Sequence, residues 1–275
     1  MATFFGEILP VTSRAVDLDE DEDDEEALPI QCEPILHWSK RMRAELEKTS
    51  DKKVPCSNFV MAIGLEANAF TEIYVKQFNY ERVGGIFTSL GDEDQLTLSN
   101  ASPTDKTCYI WRCHSNPSIL VCQCNRHVSA DQSFQWAQLL VDNIELSTAY
   151  IAVLTASDTG GYCSEVPSSD LDTPFLRALK TEKFMASPVC KILEQPNMLT
   201  GLPAQLMSFF QVLRYKAVIY VCFKENKYVD ILDVKAFMSI LNVTPIKDIT
   251  EPNKNAEQML RDIMELHAVN DTLYM

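Results

Sequence analysis

The sequence predicts an α/β domain, a sheet of apolar strands covered by helices. Two observations carry this. Strongly apolar runs recur near residues 60, 120, 150 and 220. Between them lie segments whose apolar residues fall three and four apart, the spacing of an amphipathic helix. One run, TAYIAVLTAS (148–157), is rich enough to be covered on both faces.

Residues 1–34 read as a flexible tail. MATFFGEILPVTSRA places Phe4, Phe5, Ile8 and Leu9 ahead of an acidic block. Asp17, Asp19, Glu20, Asp21, Glu22, Asp23, Asp24, Glu25 and Glu26 supply nine of the chain's net −15 charges, leaving −6 for the remainder. Like charges repel and keep such a run extended. The block serves as a solubilising leader, and Phe4 and Phe5 form an apolar tip on a charged tether, a candidate docking peptide.

In order after the tail, Ile35, Trp38, Met42 and Leu46 make one stripe, which predicts a helix over 35–48. NFVMAIG (58–64) is a buried strand. EIYVKQF (72–78) and YERVGGIF (80–87) are strands or strand-like segments. CYIWRCH (108–114) and SILVCQCN (118–125) flank the turn signal SNPS and form a hairpin. Ser129 is the candidate N-cap of a helix carrying Phe134, Ala137, Leu140 and Val141. A loop over 158–173 leads to a short helix, PFLRALKT (174–181), opened by Pro174. A longer helix, 203–216, precedes the strand AVIYVCFK (217–224). Helices over 230–241 and 253–267 close the domain, which spans 35–267. Residues 268–275 form a C-terminal tail.

Composition narrows the function classes. No Lys/Arg-rich stretch offers a phosphate-binding footprint, so nucleic acid is not an expected partner. No apolar stretch approaches the ~18–20 residues of a membrane span. The N-terminus lacks the pattern of a secretory signal. Nine cysteines without such a signal point to a reduced, cytoplasmic compartment, with nuclear or endoplasmic-reticulum-surface association as variants.

Motifs for chemistry are missing. Cys108, Cys113, His114, Cys122, Cys124 and His127 cluster, but their spacings are not the paired knuckles of structural zinc sites. Strand parity sends them to both sides of a sheet, and buried thiols suit a strand core, so no metal site is assigned. No nucleophile elbow, phosphate-binding glycine loop or dinucleotide fingerprint occurs. No catalytic residue and no cofactor is expected, and a binding protein is the better description.

Several stretches then become familiar together. SNPSILVCQCNRHVSADQSFQWAQLL, TPFLRALKT, LEQPNML, LPAQLMSFFQV, CSNFVMAIG and the opening MATFFGE resemble the proteasome assembly chaperone 1 family, collinearly from residue 2 to 275. The acidic leader and residues 88–107 match poorly. The resemblance implies a three-layer α/β/α core and no enzyme activity. It implies a heterodimer with proteasome assembly chaperone 2, which binds α-type proteasome subunits, promotes α-ring assembly and shields the outer α-ring face. An alternative in the same setting is a regulator of mature core particles.

The resemblance also gives meaning to the ending NDTLYM. It implies that Leu273, Tyr274 and Met275 form a hydrophobic-tyrosine-any-residue key for pockets between α-subunits. The Met275 carboxylate would meet a pocket lysine, Tyr274 brings a rigid ring with a hydroxyl, and Leu273 fills an apolar shelf. Asn270 to Thr272 are expected to tether it. At about −0.3 kcal/mol per non-hydrogen atom, some thirty atoms reach roughly −9 kcal/mol before ordering costs, so the key acts only beside a globular contact.

Overall fold

The computed structural model describes residues 33–49, 51–76, 79–87, 108–164, 171–225, 228–250 and 252–273, with residues 266–273 described by backbone alone. Phe4, Phe5, the acidic block and the segment 88–107 lie outside the described residues.

The centre is a run of four parallel strands, β6 (Ile119–Cys124), β3 (Asn58–Ile63), β8 (Tyr150–Asp158) and β10 (Lys216–Lys224). Antiparallel strands extend it on both sides: β9 (Phe175–Lys180) beyond β10, and β5 (Cys108–Cys113), β4 (Tyr80–Phe87) and β1 (Ile35–Trp38) beyond β6. A separate pair joins β2 (Val54–Pro55) to β7 (Ile144–Glu145).

The central strands are apolar throughout because both faces are covered. Phe59, Met61, Ile151, Val153, Ile219 and Val221 enter one core with Trp136, Leu206 and Phe210. Their neighbours Val60, Ala62, Ala152, Leu154, Val218 and Tyr220 enter a second core with Phe70, Phe237 and Leu260. The period of two along each strand thus feeds two cores. Helices α1 (Lys40–Leu46), α3 (Ser133–Asn143) and α4 (Gly201–Val212) cover the first face. The second is covered by α2 (Leu65–Phe70), a π-helical turn (Thr71–Lys76), α5 (Ile231–Lys235) with the 3₁₀ segment Ala236–Asn242, α6 (Thr244–Lys247) and α7 (Ala256–Leu273). This is the three-layer α/β/α arrangement.

Several elements differ from expectation. The segment 35–48 begins as β1, paired with β4 from Ile35–Phe87 to Trp38–Gly84. Ser39 then accepts from the Met42 amide at 3.3 Å and starts α1. Trp38 and Met42 still reach one core, which is why the stripe resembled a single helix. The segment 72–78 is not a strand: α2 runs into the π-helical turn, helped by the Thr71 hydroxyl bonding the Ala67 carbonyl at 2.7 Å and by a 2.7 Å Lys76–Glu72 ion pair. Its β-branched residues mimic a strand because Ile73 and Val75 are buried.

PFLRALKT is not a helix but the edge strand β9. Leu176 and Ala178, two apart, are buried, and the intervening Arg177 bonds Glu194 at 2.9 Å. Pro174 therefore precedes a strand rather than opening a helical turn. Finally, Gln132 rather than Ser129 occupies the N-cap of α3. The Ser129 carbonyl accepts from the Ser133 amide at 3.0 Å.

Candidate docking site

The candidate site lies at the end of α7, and its placement starts with Asn253. The Asn253 side-chain oxygen accepts from the Asn255 amide at 2.9 Å, a local turn that launches the helix. Its Nδ2 donates to the Ile73 carbonyl in the π-helical turn at 2.9 Å. Ala256, Leu260 and Ile263, at spacings of four and three, are buried in the second core, with Met259 and Met264 packed beside them. Lys235 and Glu257 add an exposed 3.6 Å pair.

The sequence expectation ends this helix at His267. The helix instead continues to Leu273, so Asn270–Thr272 are helical rather than an extended tether. No Gly or Pro follows Pro252, so nothing in the sequence stops it. From Ile263 to Leu273 the backbone rises about 15 Å at about 1.5 Å per residue. The structure therefore presents Leu273 on a helical stem whose base is packed into the domain. Tyr274 and Met275 lie outside the described residues.

The cysteines of the cluster divide between the two faces of the sheet, as strand parity leads one to expect. Cys108, Cys122 and Cys124 all enter the first core, on one side of the sheet, because β5 and β6 pair with Cys108 opposite Cys124. The Cys108 and Cys122 sulfurs are 3.8 Å apart. Cys113 is drawn away from them, with its sulfur 3.0 Å from the Ser115 hydroxyl. His114 and His127 are exposed. Burial pushes the Cys108 thiol well up, and holds Cys56 and Cys222 at about 12, so these thiols pack protonated. Among the described residues no group of three His, Cys, Asp or Glu is arranged to hold a metal ion.

A hollow of about 400 Å³ opens at the carboxyl ends of β3, β6 and β8, lined by Glu66, His127, Thr155 and Thr200. Its buried carboxylate, Glu66, is held at 2.6 Å by Lys224. Among the described residues no helix is long and apolar enough to cross a membrane.

A family model described as proteasome assembly chaperone 4 matches residues 1–275. A relative from Xenopus laevis, proteasome assembly chaperone 1, is 32% identical and covers 100% of both chains. The chain belongs to the proteasome assembly chaperone 1 family. That family is one of chaperones for proteasome assembly, not an enzyme class. The human proteasome assembly chaperone 1 is 31% identical, over 99% of each chain. Among solved structures, Pyrococcus furiosus PbaA, an archaeal homolog of proteasome-assembly chaperone, has the same fold, with TM-score 0.57 and 12% identity over 88% of this chain and 100% of its own. The P. furiosus proteasome activator PbaB aligns at TM-score 0.53 and 12% identity over 87% and 99%. The proteasome assembly chaperone 1 family thus holds this chain from end to end, including the segment that carries Leu273, Tyr274 and Met275.

The residue that anchors the start of α7 carries little signal in the sequence. Asn253 belongs to no motif. The available signal was an asparagine two residues ahead of another polar residue at the start of an apolar period.

Proposed function

We propose that this chain, paired with proteasome assembly chaperone 2, binds α-type proteasome subunits, promotes assembly of the α-ring and shields its outer face until the core particle is complete. Full-length membership of the proteasome assembly chaperone 1 family carries this proposal. The work is done by surface contact and needs no cofactor. Its proposed compartment is the cytoplasm, with nuclear or endoplasmic-reticulum-surface association as variants.

Leu273, Tyr274 and the Met275 carboxylate enter a pocket between neighbouring α-subunits, and α7 sets their direction. Three residues bind weakly alone, so the α/β body supplies the neighbouring contact and the key supplies orientation. Phe4 and Phe5 are a second, N-terminal contact with the α-ring.

Co-expression with the partner chaperone, purification and identification of the bound chains tests this. Wild-type chain is expected to bring down proteasome assembly chaperone 2 and α-type subunits. Deleting Leu273–Met275 is expected to reduce the α-subunits about tenfold or more while leaving the partner chaperone bound. Equal α-subunit recovery after the deletion would remove the key from the proposal. Absence of both partners from the wild-type purification would remove the proposal itself. Removing residues 2–26 tests Phe4 and Phe5, with unchanged α-subunit recovery counting against them.

A further inference from the structure

A groove of about 580 Å³ opens where β8 and β10 begin, at the end of the sheet opposite the hollow beside Glu66. Its sides are the loop after β9 (Lys183–Val189) and the turn between the 3₁₀ segment and α6 (Asn242–Pro245). Phe184, buried against the Tyr150 ring at 5.8 Å between centroids, forms an apolar floor, and Val189 and Val243 flank it. Met185 stands on the rim at 87% exposure. A methionine left in water beside an apolar groove is an adaptable contact without its partner.

The rim is cationic. Lys183 and Lys216 line the groove, and an adjoining hollow shares Lys183 and Met185 and adds Arg214. Among the described residues, none of these three cations has an ion pair or side-chain hydrogen bond. Glu182 is the acid that lines the adjoining hollow, and Asp142 and Glu145 lie towards Tyr215. In a chain of net charge −15, two unengaged cations on the apolar groove and a third in the adjoining hollow mark a place for opposite charge.

We propose that this groove docks a short acidic segment of a partner polypeptide, with a large apolar side chain over Phe184 and Val243 and flanking carboxylates on Lys183 and Lys216. The inference rests on the chain being a protein-binding chaperone, and it gives the chemistry of a contact made by the body rather than by the C-terminal key. A polypeptide fits better than a compact ligand because the two hollows run on through Lys183 and Met185, offering apolar and cationic positions in succession.

The test is fluorescence anisotropy of the full chain with a labelled decapeptide of alternating leucine and glutamate. Its controls are a twin with lysine for glutamate and a twin with serine for leucine. The acidic peptide is expected to bind about fivefold or more tightly than either twin, and to weaken as salt rises from roughly 50 to 300 mM. Lys183→Glu with Lys216→Glu, both exposed and unengaged, should weaken it about tenfold. Met185→Ser, which cannot disturb the core, should weaken it about threefold. No binding, equal binding of a twin, or undiminished binding by the double variant overturns the proposal. A chain lacking Leu273–Met275 should bind the peptide as wild type does. Peptide binding alongside failed α-subunit capture would therefore sink the proposed function and leave the groove standing.

Discussion

Lys224, the last residue of β10, and Glu66, in the first turn of α2, close a 2.6 Å ion pair in which each side chain is 8% exposed. The pair ties the carboxyl end of the central sheet to the helix that follows β3. A buried cation deprived of its carboxylate is expensive, whereas removing both charges is mild. Glu66→Gln is expected to cost about 3–5 kcal/mol in urea unfolding, and Glu66→Leu combined with Lys224→Met about 1 kcal/mol or less. A double variant as unstable as the single one would contradict this account.

Arg112 on β5 gathers Glu45 of α1 at 2.6 Å and Glu81 of β4 at 2.8 Å. The Arg112 hydrogen bond holds the Glu45 carboxyl below its usual range. A depressed native value stabilises the fold above the unfolded value, near 4.3, and that contribution fades as pH falls through the native value. Glu45 is 42% exposed, so solvent screens much of the effect. Arg112→Met should cost about 1–3 kcal/mol at neutral pH, and the gap from wild type should narrow below about pH 4. A gap that widens in acid would refute the assignment.

Gly84 lies under Trp38. A Cβ there would sit 2.6 Å from the Trp38 ring and 2.8 Å from the His37 carbonyl oxygen. The backbone oxygen cannot give way cheaply, so Gly84→Ala should loosen β1 from β4 and cost about 1–3 kcal/mol. A thermal melt should fall by about 2–4 °C for each kcal/mol.

Thiol labelling reports the core directly. At pH 8 a thiol held at about 12 is ionised about once in ten thousand molecules, and Cys56 and Cys222 are so held. Iodoacetamide should label the exposed Cys163 and spare Cys56, Cys108, Cys122, Cys124 and Cys222 until guanidinium unfolds the chain. Mass spectrometry after a short pulse distinguishes the two groups. Comparable labelling of Cys222 and Cys163 in the native protein would show that β10 opens readily.

The stem under Leu273 makes its own prediction. Val269→Pro leaves Leu273–Met275 intact but interrupts α7, and should weaken α-subunit capture about tenfold without shifting the melt of the domain. Capture equal to wild type would mean that the key works from any flexible support.

Much of this was legible in the chain. The strands near 60, 110, 120, 150 and 220 stood out because both faces are buried, and unbroken apolar runs need no partner information to be recognised. Two of the misassigned pieces share one physical cause. β1 and β9 lie at the rims of the sheet, where one or two buried side chains fit a helical and an extended spacing equally well. The π-helical turn reads as a strand because Ile73 and Val75 are β-branched, yet a local hydroxyl bond and an i,i+4 ion pair hold it. The proposed C-terminal key can be read because Leu273, Tyr274 and Met275 are contiguous. The groove cannot, since Tyr150, Lys183, Lys216 and Val243 meet only through the topology.

The rim at β9 carries one more consequence. Its outer side is occupied by the chain's own Lys191–Leu193, with the Ala178 amide bonding the Lys191 carbonyl and the Leu193 amide bonding the Ala178 carbonyl, both at 2.9 Å. At Ala178 a visiting strand finds its donor and acceptor already taken. Strand-by-strand growth is thereby blocked at this point of the border. Associations there are steered instead to side chains, which can tell one neighbour from another in ways that a bare peptide ladder cannot.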